Sequence, residues 1–310
     1  GLFINGIPIA TMELKNHWTG QNAKVHGQNQ YKFKRDNKQP LLNFARCIVH
    51  FTADTDEVYM TTKLAGKDTY FLPFNKGNNH GKGNPPNPFG HKSDYLWNEI
   101  LTKESVANII QHFVKLDGTK KDNLNTKTLF FPRYQQLDVV RKIIDHARKN
   151  GTGQKYLIQH SAGSGKSYSI TWAAYQLIET YPEKENLPGS KGIEQPLFDS
   201  VIVVTDRRLL DKQIKEDIKQ FSEVKNIVAH AHSSKELRDS LEQGKKMYTI
   251  YCVSCHGKKG DGNGYLSQAD KFAGIPSYKD RDITEGSIYH VIMYGKNLMG
   301  SHSSQLTNKE

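Results

Sequence analysis

Residues 1–117 carry short apolar runs separated by turn residues, a pattern typical of β-strands. Leu2–Ile4 and Ile7–Leu14 flank Asn5-Gly6, and this dipeptide between two apolar runs predicts a β-hairpin. Residues 75–92 are rich in Gly, Asn and Pro, so they are expected to form an exposed loop. Further strands are predicted at 47–51, 57–63 and 69–74, and helices at 94–101 and 103–116.

The middle of the chain alternates between buried-strand patterns and helical patterns. The apolar run 156–159 is followed by a glycine turn at 162–165 and a helical pattern over 167–178. The β-branched run 201–205 predicts a second buried strand. Polar residues 118–127 predict a linker. Other predicted elements are helices over 137–148, 212–221 and 234–243 and a strand over 226–229.

Composition adds a polar, basic character to this picture. The 310 residues have a net charge of +11 and a mean hydropathy of -0.68. The basic excess is mostly N-terminal, amounting to +9 in residues 1–245 and +2 beyond them. This distribution favours a nucleic-acid partner for the first part, with a generally lysine-rich surface as the alternative. Because the chain shows no apolar run of roughly 20 residues, no signal peptide and no initiator Met, we expect a soluble fragment without a membrane span.

The strongest chemical signal is the glycine turn itself, Ala162-Gly163-Ser164-Gly165-Lys166-Ser167. Between a strand and a helix, Gly-Lys-Ser predicts a phosphate-binding loop. Glycines let backbone N–H groups converge on phosphate oxygens, and the helix N-terminus adds roughly half a positive charge. Lys166 is then expected to reach the β and γ phosphates of ATP, and the Ser167 hydroxyl to hold Mg²⁺. The alternative is a glycine-rich turn with a surface lysine, since the usual first glycine is His160 here.

Two flanking segments extend this site by resemblance. Pro132-Arg133-Tyr134-Gln135-Gln136 looks like the adenine-reading Q motif of superfamily 2 helicases. That resemblance makes Gln136 the adenine reader, the alternative being a polar residue on the first turn of a helix. The run 201–205 resembles the next helicase motif, whose strand end touches the DNA backbone. Arg207 and Arg208 follow it and suit DNA phosphate contacts, with exposed helix-start arginines as the alternative.

A second chemical signal is the pair Glu13 and Lys15 at the end of the second predicted strand. Residues two apart on a strand share a face, so the carboxylate and the ammonium point the same way. A carboxylate that binds Mg²⁺ beside a lysine that polarises water or phosphate is a nuclease pairing. A solvated ion pair is the alternative interpretation.

The residues around this pair resemble the endonuclease core of type I restriction enzyme motor (R) subunits. The resemblance lies in residues 3–8, Phe-Ile-Asn-Gly-Ile-Pro, and residues 12–16, Met-Glu-Leu-Lys-Asn. That family uses the Asp…Glu-x-Lys nuclease fold, so the resemblance implies catalytic roles for the Glu-x-Lys pair. The family's metal-binding aspartate precedes the first of these strands, a position before the chain begins. Its Gln-x-x-x-Tyr pattern is approximated here by Gln28 or Gln30 near Tyr31.

Together with the phosphate loop, residues 1–245 resemble one continuous part of such a subunit, from the nuclease core into the first RecA-like helicase domain. The resemblance implies ATP-dependent translocation and cleavage of DNA in the parent family, with methylation and specificity subunits as partners. No apolar strand in this sequence ends in the Asp-Glu pair that holds Mg²⁺, and no second RecA lobe follows. We therefore expect weak nucleotide binding with negligible turnover.

A different chemistry stands at Cys252-Val253-Ser254-Cys255-His256, the Cys-x-x-Cys-His pattern of c-type haem attachment. The two thiols add to the haem vinyl groups, and the adjacent histidine becomes the proximal iron ligand. The alternatives are a zinc site with His290 or His302 as the fourth ligand and a thioredoxin-type redox pair. With Cys47 the chain has three cysteines, too few for a disulfide scaffold.

The flanks of this pattern, residues 257–264, 283–292 and 294–301, resemble small monohaem cytochromes c. They are closest to the cytochrome subunits of bacterial quinol-oxidising complexes. By that resemblance Met299 is the distal ligand of the haem iron, with Met293 as the fallback. A thioether opposite histidine suits an electron carrier, so haem c and a redox partner are implied.

The predicted fold is therefore α/β followed by a small all-α module. A partial PD-(D/E)xK nuclease core covers 1–117, a partial RecA-like P-loop domain covers 118–245, and a truncated cytochrome c-like module covers 246–310. ATP-driven restriction belongs in the cytoplasm, whereas haem c is attached on the outer side of the bacterial inner membrane. Three hypotheses follow: an R-subunit fragment that binds ATP and DNA, a monohaem electron carrier as the only working part, and a non-functional chimeric reading frame.

Overall fold

The computed structural model describes most of the chain in two compact units. The described residues are 1–36, 38–118, 122–161, 163–205, 214, 231, 233–247, 252–268, 275, 277, 278, 291 and 299. The first unit comprises residues 1–146, 155–177 and 201–203, and the second takes residues 147–154, 178–200 and 204–310.

A five-stranded mixed sheet organises the first unit, with its strands in chain order across the sheet. Strand β2 runs parallel to β3, and the other neighbours are antiparallel. The predicted hairpin is confirmed, because Asn5 and Gly6 join β1 to β2 with φ angles of 47° and 79°, the left-handed conformation that such a turn needs. The strands are β1 (Leu2–Ile4), β2 (Ile7–Leu14), β3 (Val49–Ala53), β4 (Val58–Thr61) and β5 (Leu72–Pro73).

The centre of this sheet is buried along the whole length of β3 and β4. Both strands were visible in the sequence pattern because apolar residues recur at every second position, Val49 and Phe51 on β3 and Val58 and Met60 on β4. Phe51 on β3 packs edge-on against Phe74, with 5.5 Å between ring centroids. The rings of Phe131 and Tyr134 extend this aromatic cluster to the residues that follow the linker.

Three helices accompany the sheet, α1 (Lys103–His112), α2 (Tyr134–Asn150) and α3 (Lys166–Ile178). The predicted helix 103–116 ends earlier than expected, because Lys115–Leu116 (β6) pairs with Leu129–Phe130 (β7) instead. The predicted helix 94–101 is a single π-helical turn, Leu96–Ile100. The sheet and its helices confirm the α/β character expected of this part of the chain.

Two side chains tie these helices together. The Nε of Arg141 on α2 donates to Oδ1 of Asn108 on α1 at 2.9 Å. The indole N–H of the buried Trp172 on α3 donates to the carbonyl oxygen of Phe113, directly after α1, at 3.1 Å. Helix α3 is therefore anchored through its middle.

Two predicted strands are not formed. Residues 156–159 and 201–205 have no regular secondary structure, and Leu157 and Val204 are 97% and 87% exposed. An extended run becomes a strand only when its N–H and C=O groups pair with a neighbouring strand. Within the described part of the chain neither run has such a neighbour, so both predictions of a buried strand are wrong for this structure.

The second unit contributes three further described helices, α4 (Ser234–Met247), α5 (Val253–His256) and α6 (Tyr265–Gln268). The predicted helix 234–243 is confirmed and runs on past the expected boundary at residue 246. Apart from residue 214, the predictions for 212–221 and 226–229 lie outside the described residues. None of the described helices combines the length and the apolarity needed to cross a membrane.

Candidate functional sites

The polar face of β2 is the first candidate site. Thr11 and Glu13 alternate along the strand, and Lys15, directly after it, continues the same face. The parallel register aligns Thr11 with His50 and Glu13 with Thr52 of β3. The structure therefore brings the predicted pair Glu13 and Lys15 together beside the buried centre of the sheet.

One short segment covers this face. It is a π-helical turn, Gln30–Lys34, closed by a hydrogen bond from the Arg35 N–H to the Gln30 carbonyl at 2.9 Å. Each polar side chain of the β2 face takes one partner from this segment. Tyr31 bonds Thr11, Gln30 accepts from Lys15, and Arg35 pairs with Glu13.

The Glu13 carboxylate is held by a guanidinium. The Nε and Nη2 of Arg35 lie 2.8 and 2.7 Å from Oε1 of Glu13, and the Lys15 ammonium is 4.0 Å from Oε2. The Glu13 side chain is only 12% exposed, so this charge-assisted pair is partly shielded from water. A hard divalent cation needs several free oxygen ligands. In this arrangement the site does not fit Mg²⁺, because a guanidinium is bound to Oε1 and Glu13 belongs to no cluster of three potential ligands among the described residues.

Below the pair lies a buried polar network that the sequence did not reveal. The Thr11 hydroxyl lies 2.6 Å from both the Tyr31 hydroxyl and Nδ1 of His50. Burial lowers the pKa of His50 to about 4 and raises the pKa of Tyr31. His50 is therefore neutral at physiological pH. In the sequence it appears as a polar residue between the apolar Val49 and Phe51 of β3.

A second unpredicted cluster joins the end of the β2 segment to the turn between β3 and β4. The two ring nitrogens of His17 each lie 3.2 Å from a carboxylate, Nε2 from Asp54 and Nδ1 from Asp56. Asp54 also accepts three backbone N–H bonds. These bonds lower the pKa of Asp54 although burial acts in the opposite direction. The cluster fixes the chain directly after Lys15.

The phosphate loop has the predicted corner without the predicted strand. Gly163 and Gly165 adopt φ angles of 71° and 79°, and α3 begins at Lys166. The Lys166 ammonium donates to the carbonyl oxygen of Ser161 at 2.9 Å and to that of His160 at 3.3 Å. The Ser164 hydroxyl is buried, and its oxygen has no hydrogen-bond partner among the described residues. Ser167 is the second residue of α3, where its hydroxyl can offer a hard oxygen ligand.

Gln136 uses both ends of its amide, one at the start of α2 and the other on this loop. Its Oε1 accepts from the backbone N–H of Arg133 at 2.8 Å, the side-chain half of a capping box at the start of α2. Its Nε2 donates to the carbonyl oxygens of Gly165 at 2.9 Å and Ser164 at 3.3 Å. A Cβ at Gly165 would displace this Nε2, and the positive φ angle of Gly165 favours glycine at the position.

The Cys-x-x-Cys-His segment folds as one turn of helix with a glycine loop closed back upon it. Cys252 and Cys255 are free, half-buried thiols, and burial raises the pKa of Cys252. His256 is buried and its ring stacks on Tyr278, with 4.7 Å between centroids. The loop returns through the Gly264 N–H, which donates to the Cys255 carbonyl at 3.1 Å. Two thiols on one turn with a histidine at its end form a donor set that fits haem c.

The remaining predicted site residues are not tested by these contacts. Met299 is half-buried. Arg207 and Arg208, predicted to contact DNA, lie outside the described residues, as does Met293.

Three family models match the chain. Residues 1–69 match the N terminus of the type I restriction enzyme R protein, and residues 135–273 match the SWI2/SNF2 ATPase. Residues 239–310 match cytochrome c oxidase, cbb3-type, subunit III. The last two matches overlap over residues 239–273, which include the expected boundary at 246 and the Cys-x-x-Cys-His segment.

Curated relatives resemble most of the chain. A type I restriction enzyme endonuclease subunit of Methanocaldococcus jannaschii is 24% identical over 253 residues, covering 79% of this chain and 22% of the relative. The type I restriction enzyme HindI endonuclease subunit of Haemophilus influenzae is 24% identical over 245 residues, covering 78% of this chain and 21% of the relative. The chain thus spans about a fifth of the length of these relatives. It resembles the type I motor subunit over its larger part and a cbb3-type cytochrome subunit at its end.

Proposed function

We propose that residues 1–245 are part of a type I restriction motor subunit and bind ATP at the phosphate loop. The observation that carries this proposal is the loop corner itself. Two left-handed glycines precede a helix that begins at Lys166, and the Lys166 ammonium is bonded to carbonyl oxygens of its own loop. A nucleotide phosphate offers that ammonium a charged acceptor in their place.

The neighbouring groups suit the same ligand. The start of α3 favours negative charge. The buried Ser164 hydroxyl can donate to a phosphate oxygen, and the Ser167 hydroxyl would hold the Mg²⁺ that accompanies ATP. Gln136 would read adenine as its resemblance implies, and to do so its amide would exchange a backbone partner for the base.

The test is nucleotide-dependent thermal stabilisation. Adding Mg²⁺-ATP to the full chain is expected to raise the melting temperature, and Lys166→Ala is expected to remove the shift. Lys142→Ala is the matched control, because Lys142 is 73% exposed on α2 and pairs with Asp138 at 2.7 Å. Equal shifts in wild type and Lys166→Ala contradict the proposal. We expect negligible turnover, so DNA-stimulated, Lys166-dependent ATP hydrolysis would contradict that part.

DNA is the proposed macromolecular partner, and cytoplasm is the proposed compartment for this part. The +9 excess of residues 1–245 favours a polyanion. Arg207 and Arg208 are proposed to contact its phosphates, and Glu13 and Lys15 to form the catalytic pair of the nuclease core. Methylation and specificity subunits are proposed as protein partners, since the chain resembles a subunit of a type I complex.

A second candidate function is electron transfer by residues 246–310. It rests on the helical turn that carries both thiols and His256, and on the cbb3-type match. Cys252 and Cys255 would form the two thioether bonds, His256 the proximal bond and Met299 the distal bond to iron. Haem, when bound, supplies one-electron transfer. A redox partner and a periplasmic location are proposed for this part.

The test of this second function is a haem absorption band in the chain expressed with an export signal and cytochrome-maturation machinery. The band is expected to disappear in Cys252→Ala and Cys255→Ala, while Cys47→Ala retains it. If neither function is found, the chimeric reading frame remains. A single genomic sequencing read from an isolate that covers the codons of residues 240–250 without a break would show that the two parts are joined in the genome. That result would argue against the third hypothesis.

A further inference from the structure

The segment over the polar face of β2 is rich in basic residues. Residues 21–36 contain four Lys and Arg residues and a single acidic residue, Asp36. Of the four cations, Arg35 is held by Glu13. The other three form no ion pair within the part of the chain that the structure describes, and they are Lys24, Lys32 and Lys34. Positive charges that are concentrated in this way and not neutralised attract a polyanion.

An aromatic ring lies between two of these cations. Phe33 stands between Lys32 and Lys34 in the π-helical turn Gln30–Lys34, and it is 67% exposed. A single exposed apolar side chain is common on protein surfaces, but this ring has a cation on each side along the chain. A nucleic-acid strand has the corresponding alternation, with a flat base between two charged phosphates. Stacking on an aromatic side chain is a principal contact to such a base when it is unpaired.

The turn that carries Phe33 is fixed to the fold on both sides of that residue. Two residues earlier, the buried Tyr31 places its hydroxyl 2.6 Å from the hydroxyl of Thr11. Two residues later, the backbone N–H of Arg35 donates to the Gln30 carbonyl at 2.9 Å. Because these contacts order the segment before a ligand arrives, little conformational entropy is lost when a strand binds.

A neighbouring turn extends the positive charge. The π-helical turn Ala23–Gly27 contacts Gln30–Lys34 and exposes Lys24. It lies directly on the sheet, since a Cβ at Gly27 would come within 2.9 Å of the Cβ of Thr52. A strand of several nucleotides can therefore find cations on two turns that are both held against β2 and β3.

We propose that the basic turn surface, formed by Lys24, Lys32, Phe33 and Lys34, binds DNA with unpaired bases. The three ammonium groups contact phosphates, and the Phe33 ring stacks on one base. The inference rests on the proposed DNA partner of residues 1–245 and deepens it by naming the form of DNA and the surface that binds it. Every base has a π-face, so binding is expected to tolerate any sequence. A duplex stacks its bases on one another and offers the ring no such face.

The test of the ring is fluorescence anisotropy of the full chain with a labelled oligothymidylate of about 12 nucleotides and with a duplex of the same length. Phe33→Ala is expected to bind oligothymidylate about tenfold more weakly than wild type and to keep its duplex affinity. Phe33→Trp retains a stacking ring and is expected to bind like wild type. Tyr265→Ala is the matched control, because Tyr265 is 76% exposed and lies outside this surface.

The charge part of the proposal has a separate readout in the salt dependence. Lys34→Gln is expected to weaken binding to both DNAs, because it removes one phosphate contact. For oligothymidylate, the slope of log affinity against log salt concentration is expected to fall by about 0.7. Lys259→Gln is the matched control, since Lys259 is exposed and lies outside the basic turn surface.

Each other outcome contradicts a defined part of the inference. If wild type and Phe33→Ala bind oligothymidylate equally, DNA remains a partner but the basic turn surface does not stack on its bases. An equal loss for duplex and single strand means that the ring does not select unpaired bases. Displacement of oligothymidylate by polyglutamate at equal charge concentration indicates an acidic protein segment as the partner instead. If wild type binds neither DNA while its thermal unfolding is cooperative, the proposed DNA partner is wrong as well.

Discussion

The sheet of the first unit and the phosphate-loop region differ in how their strand-like sequences are used. In the sheet, β3 lies between β2 and β4 and is buried at every residue. The runs 156–159 and 201–205 have a similar apolar character, yet they expose side chains such as Leu157 and Val204 to solvent. An apolar run thus carries the capacity to form a strand, and a neighbouring strand decides whether the capacity is realised.

Helices do not share this dependence, because their hydrogen bonds close within one segment. Helix α3 forms directly after the loop, although the run 156–159 before the loop does not form a strand. The part of the phosphate site that depends on glycines and a helix start is therefore present. The part that depends on strand pairing, the predicted strand 156–159, is not formed.

The largest expected effect tests this contrast in burial. Phe51→Ala is expected to destabilise the first unit by about 3–5 kcal/mol, because a fully buried ring is removed from the centre of the sheet. Leu157→Ala is expected to change stability by no more than about 0.5 kcal/mol, because that side chain is already in solvent. Urea unfolding measures both. A loss at Leu157 comparable with that at Phe51 would show that the run 156–159 is packed after all.

The next effect concerns pH and is confined to the sheet. The pKa of His50 is lowered from 6.5 to about 4 by burial, so the unfolded chain binds a proton that the folded chain does not between these values. The contribution of neutral His50 to folding stability is therefore complete above about pH 6.5, and it falls by up to about 3 kcal/mol as the pH drops to 4.

His50→Gln is expected to flatten this dependence, since a neutral amide can still bond Thr11. Urea unfolding at pH 7 and pH 4.5 compares the two proteins. His17→Gln is the control for an exposed histidine that already contacts carboxylates. If wild type and His50→Gln lose equal stability between these pH values, His50 contributes nothing to the loss. It would then be protonated in the folded chain at pH 4.5, which contradicts the prediction.

The smallest expected effect lies at the loop. Gln136→Ala removes the capping bond to Arg133 and two bonds to the loop carbonyls, and is expected to cost about 1–2 kcal/mol. Gln135→Ala, one residue earlier on the same helical turn, is the control. Thermal unfolding with and without ATP separates the structural role from the adenine-reading role. If Gln136→Ala leaves stability unchanged but weakens ATP binding, the amide serves the base alone.

Local elements were predictable where a few adjacent residues decide them. Asn5-Gly6 defined the hairpin, and helical spacing defined α2 and α3. The capping role of Gln136 follows from its position three residues after Arg133, but its bonds to Gly165 join positions far apart in sequence.

Contacts between distant segments were not predictable, because no periodic pattern records them. The Glu13–Arg35 pair joins residues 22 positions apart, and His17 meets Asp54 across 37 positions. The Glu-x-Lys motif indicated a chemistry, but the side chains that contact the pair, Gln30 and Arg35, are known only from the fold. The failure at 156–159 has the same origin, since strand pairing is also a long-range property.

Because Trp172 is buried, its intrinsic fluorescence can be used to follow helix α3. Its indole lies inside the first unit, six residues beyond Lys166, whereas Trp18 stands fully in solvent. A water-soluble quencher such as iodide is therefore expected to quench Trp18 most and Trp172 least, with the half-buried Trp97 between them. In a Trp97→Phe chain the unquenched fluorescence then reports the environment of the α3 indole, so a displacement of this helix by a bound anion can be followed without a label.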